Sequence, residues 1–207
     1  MTPHLPSSPR RASCAACLRA QRDCICHLVT PVAADVELLV LQHPLEVRNA
    51  KNSARLLHLS LPDSRLAVGE TFDTAELASL LAAGGRTPVL LYPDTPNDTP
   101  PALDPAVLAA PSGLRLVVLD GTWRKSRKML YLNPLLQALP RLALRTVPPS
   151  AYRIRKAHAP HQLSTLEATV HALAELENNP DRYRPLLAAF DGFVQQQAAK
   201  TAHLNPS

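Results

Sequence analysis

Cys14, Cys17, Cys24 and Cys26 all fall within CAACLRAQRDCIC, and the chain has no other cysteine. This C-x2-C-x6-C-x-C spacing sets two close pairs on one short loop, so four thiolates can wrap a tetrahedral ion with bonds of about 2.3 Å. The cluster points to a metal, zinc first, whose ligation orders a segment too small to have its own core. The second chemical signal is LVVLDGTWRKSRKML, residues 116 to 130, in which an apolar run closes on Asp120-Gly121-Thr122 and the only tryptophan, Trp123. Arg124, Lys125, Arg127 and Lys128 follow at once. A carboxylate at the end of a buried strand is costly to ionise without partners. It serves either to accept a proton in a reaction, or to cap the helix beginning at Trp123 by taking hydrogen bonds from amides two or three residues on. The cations suit a polyanion such as nucleic-acid backbone, as do Arg153, Arg155 and Lys156 in YRIRK, where alternation puts Arg153 and Arg155 on one face of an extended segment. Arg10, Arg11, Arg19 and Arg22 surround the cysteines in the same way. The plain alternative for all of these is solvated surface charge.

These residues need a scaffold, and 207 residues with 46% hydrophobic content suffice for one domain with a real core. Net charge is +5, which again favours a polyanionic partner. No stretch reaches the roughly 20 apolar residues that cross a bilayer. The opening MTPHLPSSPRRAS has no apolar segment of signal-peptide type. A cytoplasmic, membrane-free protein is expected, and a reducing compartment suits cysteines that bind metal.

VELLVLQ (36 to 42), RTPVLLYP (86 to 93) and LRLVVLD (114 to 120) are short apolar runs closed by polar residues or proline, the pattern of buried strands in a parallel sheet. Segments 49 to 61, 73 to 85 and 164 to 179 carry helical spacing, with Asp73 an N-cap, Gly84 a stop, and Ser164 with Glu167 a capping box. Strand and helix alternate, so the fold expected is α/β, whose ligands sit outside the carboxyl ends of the strands. Those ends read Gln42-His43-Pro44, Leu91-Tyr92-Pro93 and Asp120-Gly121-Thr122-Trp123. Neither a Walker loop nor GxGxxG is present, which favours a ligand without phosphates.

Four segments in this order resemble the DTW-domain family of tRNA-uridine aminocarboxypropyltransferases: CAACLRAQRDCIC; LVLQHPLEVRNAKNSARLL (39 to 57); LVVLDGTWRKSRKMLYLNPLLQALPRLAL (116 to 144), with D-x-T-W at Asp120, Thr122 and Trp123; and SAYRIRKAHAPHQLSTLEATVHALAELE (150 to 177). The resemblance implies an α/β fold related to the SPOUT class, often trefoil-knotted, that holds S-adenosylmethionine (SAM) in loops at strand ends. It also implies the reaction, transfer of the 3-amino-3-carboxypropyl group of SAM to N3 of a tRNA uridine with release of 5′-methylthioadenosine.

On that reading Asp120 is the catalytic candidate, as base or as acceptor orienting the uracil imide. Gln42, His43, Pro44, Leu91, Tyr92, Pro93, Gly121, Thr122 and Trp123 line the SAM pocket with Asp120. Thr165, Ser164 and Glu167 open a helix whose free amides suit the SAM carboxylate. His43 and Tyr92 have ordinary strand-end packing as their other reading, and Trp123 has a core position. Arg124, Lys125, Arg127, Lys128, Arg153, Arg155 and Lys156 hold tRNA. The expected organisation is a disordered leader (1 to 12), a structural zinc knuckle (13 to 30), a catalytic domain (31 to 193) and a flexible tail (194 to 207), in a monomer. Two other functions stay open, an RNA methyltransferase of the same class and a non-catalytic zinc-containing RNA-binding protein.

Overall fold

The computed structural model describes residues 12–95, 99–144 and 163–204. Strands β1 (Glu37–Gln42), β2 (Arg65–Val68), β3 (Thr87–Leu91), β4 (Leu114–Asp120) and β5 (Arg141–Leu142) form one parallel sheet in the order β2-β1-β4-β3-β5. Helices are α1 (Ala54–Ser60), α2 (Thr74–Ala82), α3 (Pro105–Leu108), α4 (Trp123–Leu132), α5 (Pro134–Gln137), α6 (Thr165–Leu176) and α7 (Pro180–Leu204). Among the described residues no helix is long and apolar enough to cross a membrane.

The apolar runs are explained by the layers. Successive strand residues point to opposite faces, and helices cover both. Leu38 and Val40 of β1 with Leu116 and Val118 of β4 pack against α1, α6 and α7. Leu39, Leu41, Val117 and Leu119 pack against α2, α4 and α5. The central strand β4 is buried at all seven positions. Arg115 lies inside it, fully buried, with its guanidinium on Glu37 at 2.7 Å and on the carbonyls of Leu80 and Leu81. It clamps the end of α2 to the sheet, far from any ligand role at the opposite strand ends.

Local signals decide where helices begin and stop. Asp73 caps α2 by accepting from the amides of Ala75 and Glu76, and Gly84, at φ +67°, turns the chain after it. The capping box forms on α6, with Ser164 and Glu167 each accepting from the other's amide. The helix expected over 49 to 61 starts only at Ala54. Asn49 and Asn52 take the amides of Lys51 and Ala54 into side-chain hydrogen bonds, a turn pattern that competes with helix.

The tail and the cysteine loop pack against each other. Residues 194 to 204, expected to be flexible, continue α7 to Leu204. Gln196 of α7 donates to the Cys24 carbonyl, and Lys200 pairs with Asp23, so the helix is held by the cysteine loop. Cys17 and Ile25 of that loop are buried in the same core as Leu166, Tyr183 and Phe193.

Candidate active site and cation face

The connections that leave β1 and β4 run to opposite edges of the sheet, which makes the gap at their carboxyl ends a topological switch point, the usual ligand position in such folds. Gln42 and Asp120 are register partners there, and the His43 amide donates to the Asp120 carbonyl at 2.9 Å. The Asp120 side chain is 2% exposed. Its Oδ2 accepts from Gln42 Nε2 at 2.9 Å and Asn52 Nδ2 at 2.6 Å, and its Oδ1 accepts from Thr165 Oγ1 at 2.7 Å. One carboxylate thus ties β1, the turn before α1, β4 and the start of α6. Burial pushes its pKa above the usual carboxylate range, while those three hydrogen bonds favour the ionised form and the nearby Glu46 charge opposes it.

Asp120 does not cap α4. Thr122 does, its hydroxyl accepting from the Lys125 amide. Gly121 makes room for the turn, since a Cβ there would sit 3.0 Å from Lys125 Cβ. His43 caps the short turn Pro44–Glu46, with Nδ1 accepting from the Leu45 amide at 3.1 Å. The proton is therefore assigned to Nε2, which donates to Glu70 at 2.8 Å. Ser164 and Glu167 have their side chains committed to the capping box, and Thr165 has its hydroxyl on Asp120.

Tyr92 is buried under the Arg141 guanidinium, 5.3 Å from the ring centre, and meets Trp123 edge-on at 6.2 Å. Trp123 remains 53% exposed, so it is no core residue. Leu91 is half-buried, whereas Pro44 and Pro93 are exposed.

The cations on α4 divide. Lys125 reaches back to the buried Glu46 at 2.8 Å, which removes it from the outward face. Lys128 pairs with Glu70 at 2.7 Å but is half-exposed. Arg124, Arg127 and Lys128 line an open groove of about 530 Å³ with Tyr131 and Leu132. Arg153, Arg155 and Lys156 lie outside the described residues. Sequence reasoning missed Asn52, Glu46 and Glu70. Asn52 does lie in the segment 39 to 57 that carries the family resemblance, but nothing local marks its carboxylate partner.

At the other end of this network the four cysteines are free thiols whose Sγ atoms all lie within 4.8 Å of one another. The pairs Cys14–Cys26 and Cys17–Cys24 stand 3.6 and 3.8 Å apart, close to the edge of about 3.8 Å in a tetrahedron of 2.3 Å bonds. The amides of Cys17 and Ala16 hold the Cys14 thiol down to about 6, while burial and the neighbouring thiols push Cys26 up to about 12. Sulfurs this close ionise together only around a cation, so the set fits a metal ion.

The DTW domain model matches residues 11–198 of the chain. A mouse protein named tRNA-uridine aminocarboxypropyltransferase 2 is 32% identical over 178 residues, covering 82% of this chain and 58% of the mouse protein. The Drosophila melanogaster protein of that name is 31% identical over 86% of this chain and 72% of its own length. Tying in a plant, tRNA-uridine aminocarboxypropyltransferase A of Arabidopsis thaliana is 29% identical over 58% of this chain. The chain spans only 58% and 60% of the mouse and macaque relatives, respectively. No solved structure matches. With the family model covering both the cysteine loop and the Asp120 site, the chain belongs to the DTW domain family.

Proposed function

We propose that this protein is a tRNA-uridine aminocarboxypropyltransferase that moves the 3-amino-3-carboxypropyl group of SAM to N3 of a uridine. A bond forms between N3 and the carbon attached to sulfur, the carbon–sulfur bond breaks, and the electron pair stays on sulfur as the sulfonium becomes the neutral thioether of 5′-methylthioadenosine. The N3 proton must leave. The observation that carries this reading is the buried Asp120 hub at the strand switch point beside the cationic face of α4, in a member of a family whose similar proteins are named for this transfer.

In this proposal the strand ends Gln42-His43-Pro44, Leu91-Tyr92-Pro93 and Gly121-Thr122, with the start of α6 at Ser164-Thr165-Glu167, surround SAM. Asp120 supplies negative charge toward the sulfonium and fixes the pocket. The fourth lone-pair site of its carboxylate, on Oδ1, is the position from which it would take the N3 proton. Zinc on Cys14, Cys17, Cys24 and Cys26 is structural, because four protein ligands leave no open coordination position. The SPOUT relation and a trefoil knot belong to the same proposal and rest on the family resemblance.

The test is single-turnover reaction with tRNA and SAM, reading both products. Methylthioadenosine with aminocarboxypropyl-uridine is expected. S-adenosylhomocysteine would instead identify a methyltransferase, and RNA binding without SAM turnover a non-catalytic binder.

A further inference from the structure

The outward face of α4 carries more than charge. Trp123, Arg127 and Tyr131 stand at i, i+4 and i+8, and Arg124, Lys128 and Leu132 at the next positions along, so two neighbouring rows share one side of the helix. Trp123 is 53% and Tyr131 59% exposed. Large exposed aromatics are unusual in a chain where only 4% of residues are aromatic. At about 1.5 Å rise per residue, their Cα atoms lie about 12 Å apart along the axis. One base sandwiched between two rings needs only about 7 Å, twice the 3.4 Å base-stacking spacing. The two rings therefore serve different nucleotides, with the Arg127 guanidinium between them.

We propose that this face of α4 is a stacking platform for unpaired RNA, on which Trp123 and Tyr131 each take a base while Arg124, Arg127 and Lys128 take the intervening phosphates. The inference deepens the proposed function and rests on its reading of RNA as the partner. It goes beyond phosphate binding in one respect. A duplex offers its phosphates but keeps its bases stacked and paired, so the platform selects single-stranded loops. Trp123 also touches Tyr92 at the end of β3, which sets the platform against the strand-end site, so a strand lying on α4 would bring the adjacent nucleotide toward Asp120.

Because Trp123 is the only tryptophan, its fluorescence reports the platform directly. The probe is a short uridine-containing oligoribonucleotide, used alone and annealed to its complement. The single strand is expected to quench Trp123 and the duplex to leave it nearly unchanged. Tyr131→Ala should weaken single-strand binding about fivefold or more, the usual loss for one base–aromatic stack, while Tyr131→Phe binds as the parent. Equal quenching by strand and duplex, or parental affinity in Tyr131→Ala, overturns the inference. Product formation is measured separately. Transfer to tRNA without strand-selective quenching would sink the platform and spare the reaction, whereas quenching without transfer would do the reverse.

Discussion

Asn52 joins the cysteine loop to the buried carboxylate. Its side-chain amide donates to Asp120 Oδ2 at 2.6 Å, and its own backbone carbonyl accepts from Arg19 Nη2 at 2.7 Å. Arg19 also donates to the Ala50 carbonyl and lies over the Phe193 ring, while Arg55 of α1 donates to Ala16. The cysteine loop therefore holds the turn that holds Asp120.

Metal removal is then expected to reach beyond the leader. Stripping the ion with a chelator should lower the melting temperature of the whole domain and abolish product formation together, because Cys17 and Ile25 belong to the main core. Arg19→Ala separates the two effects. It leaves the four thiols, so metal content by elemental analysis stays near one per chain, while stability falls by about 1–3 kcal/mol for the lost charged hydrogen bonds. Turnover should fall with it, and parental turnover would refute the linkage.

Asp120→Asn keeps shape, with its amide oxygen able to accept from Gln42 Nε2 and Asn52 Nδ2 and its NH2 donating to a Thr165 hydroxyl that turns to accept. All three hydrogen bonds then lose the charge that strengthened them. The variant should fold with a lower denaturant midpoint, retain its metal and bind tRNA. Its single-turnover rate should drop roughly a hundredfold or more. A parental rate would make Asp120 an anchor only.

The α4 cations are expected to act unequally. Arg124→Gln and Arg127→Gln should each weaken tRNA binding and lower the slope of log affinity against log salt by about one. Lys125→Gln should leave that slope unchanged and destabilise the fold, because it takes the paired cation from the buried Glu46 carboxylate. Filter binding across a salt series, beside thermal melts, reads both.

The Lys128 ammonium first, and the His43 ring second, hold the Glu70 carboxyl below its usual range. A depressed carboxyl stabilises the fold above the unfolded value, about 4.3, and that contribution is lost as pH falls through the lower folded value. The acid limb of stability should therefore be shallower in Glu70→Gln. The same variant frees Lys128 toward the groove and should tighten RNA binding about twofold at neutral pH. Unchanged acid unfolding and affinity would show that the pair is solvent-screened to nothing.

The sequence by itself determined whatever rests on neighbours along the chain. The cysteine spacing predicted one tight cluster, the three apolar runs predicted β1, β3 and β4, and S-x-x-E predicted the start of α6. Each is a short-range pattern whose physics is complete within a few residues. Strand β2 was illegible because Leu66-Ala67-Val68, at the sheet edge, is too short an apolar run to mark a strand, and the last turns of α7 because their polar residues are fixed by partners in the distant cysteine loop. Asp120 shows the limit most clearly. Its place at a strand end could be read, but its role as cap or as hub could not. The local competitor for the cap, Thr122, lies two residues away, while its actual partners Gln42, Asn52 and Thr165 are 78, 68 and 45 residues distant. Only the tertiary structure brings such groups together, because parallel strands join through crossovers that set their carboxyl ends side by side while leaving them far apart in the chain. Burial then makes each polar group find a partner in space rather than in sequence.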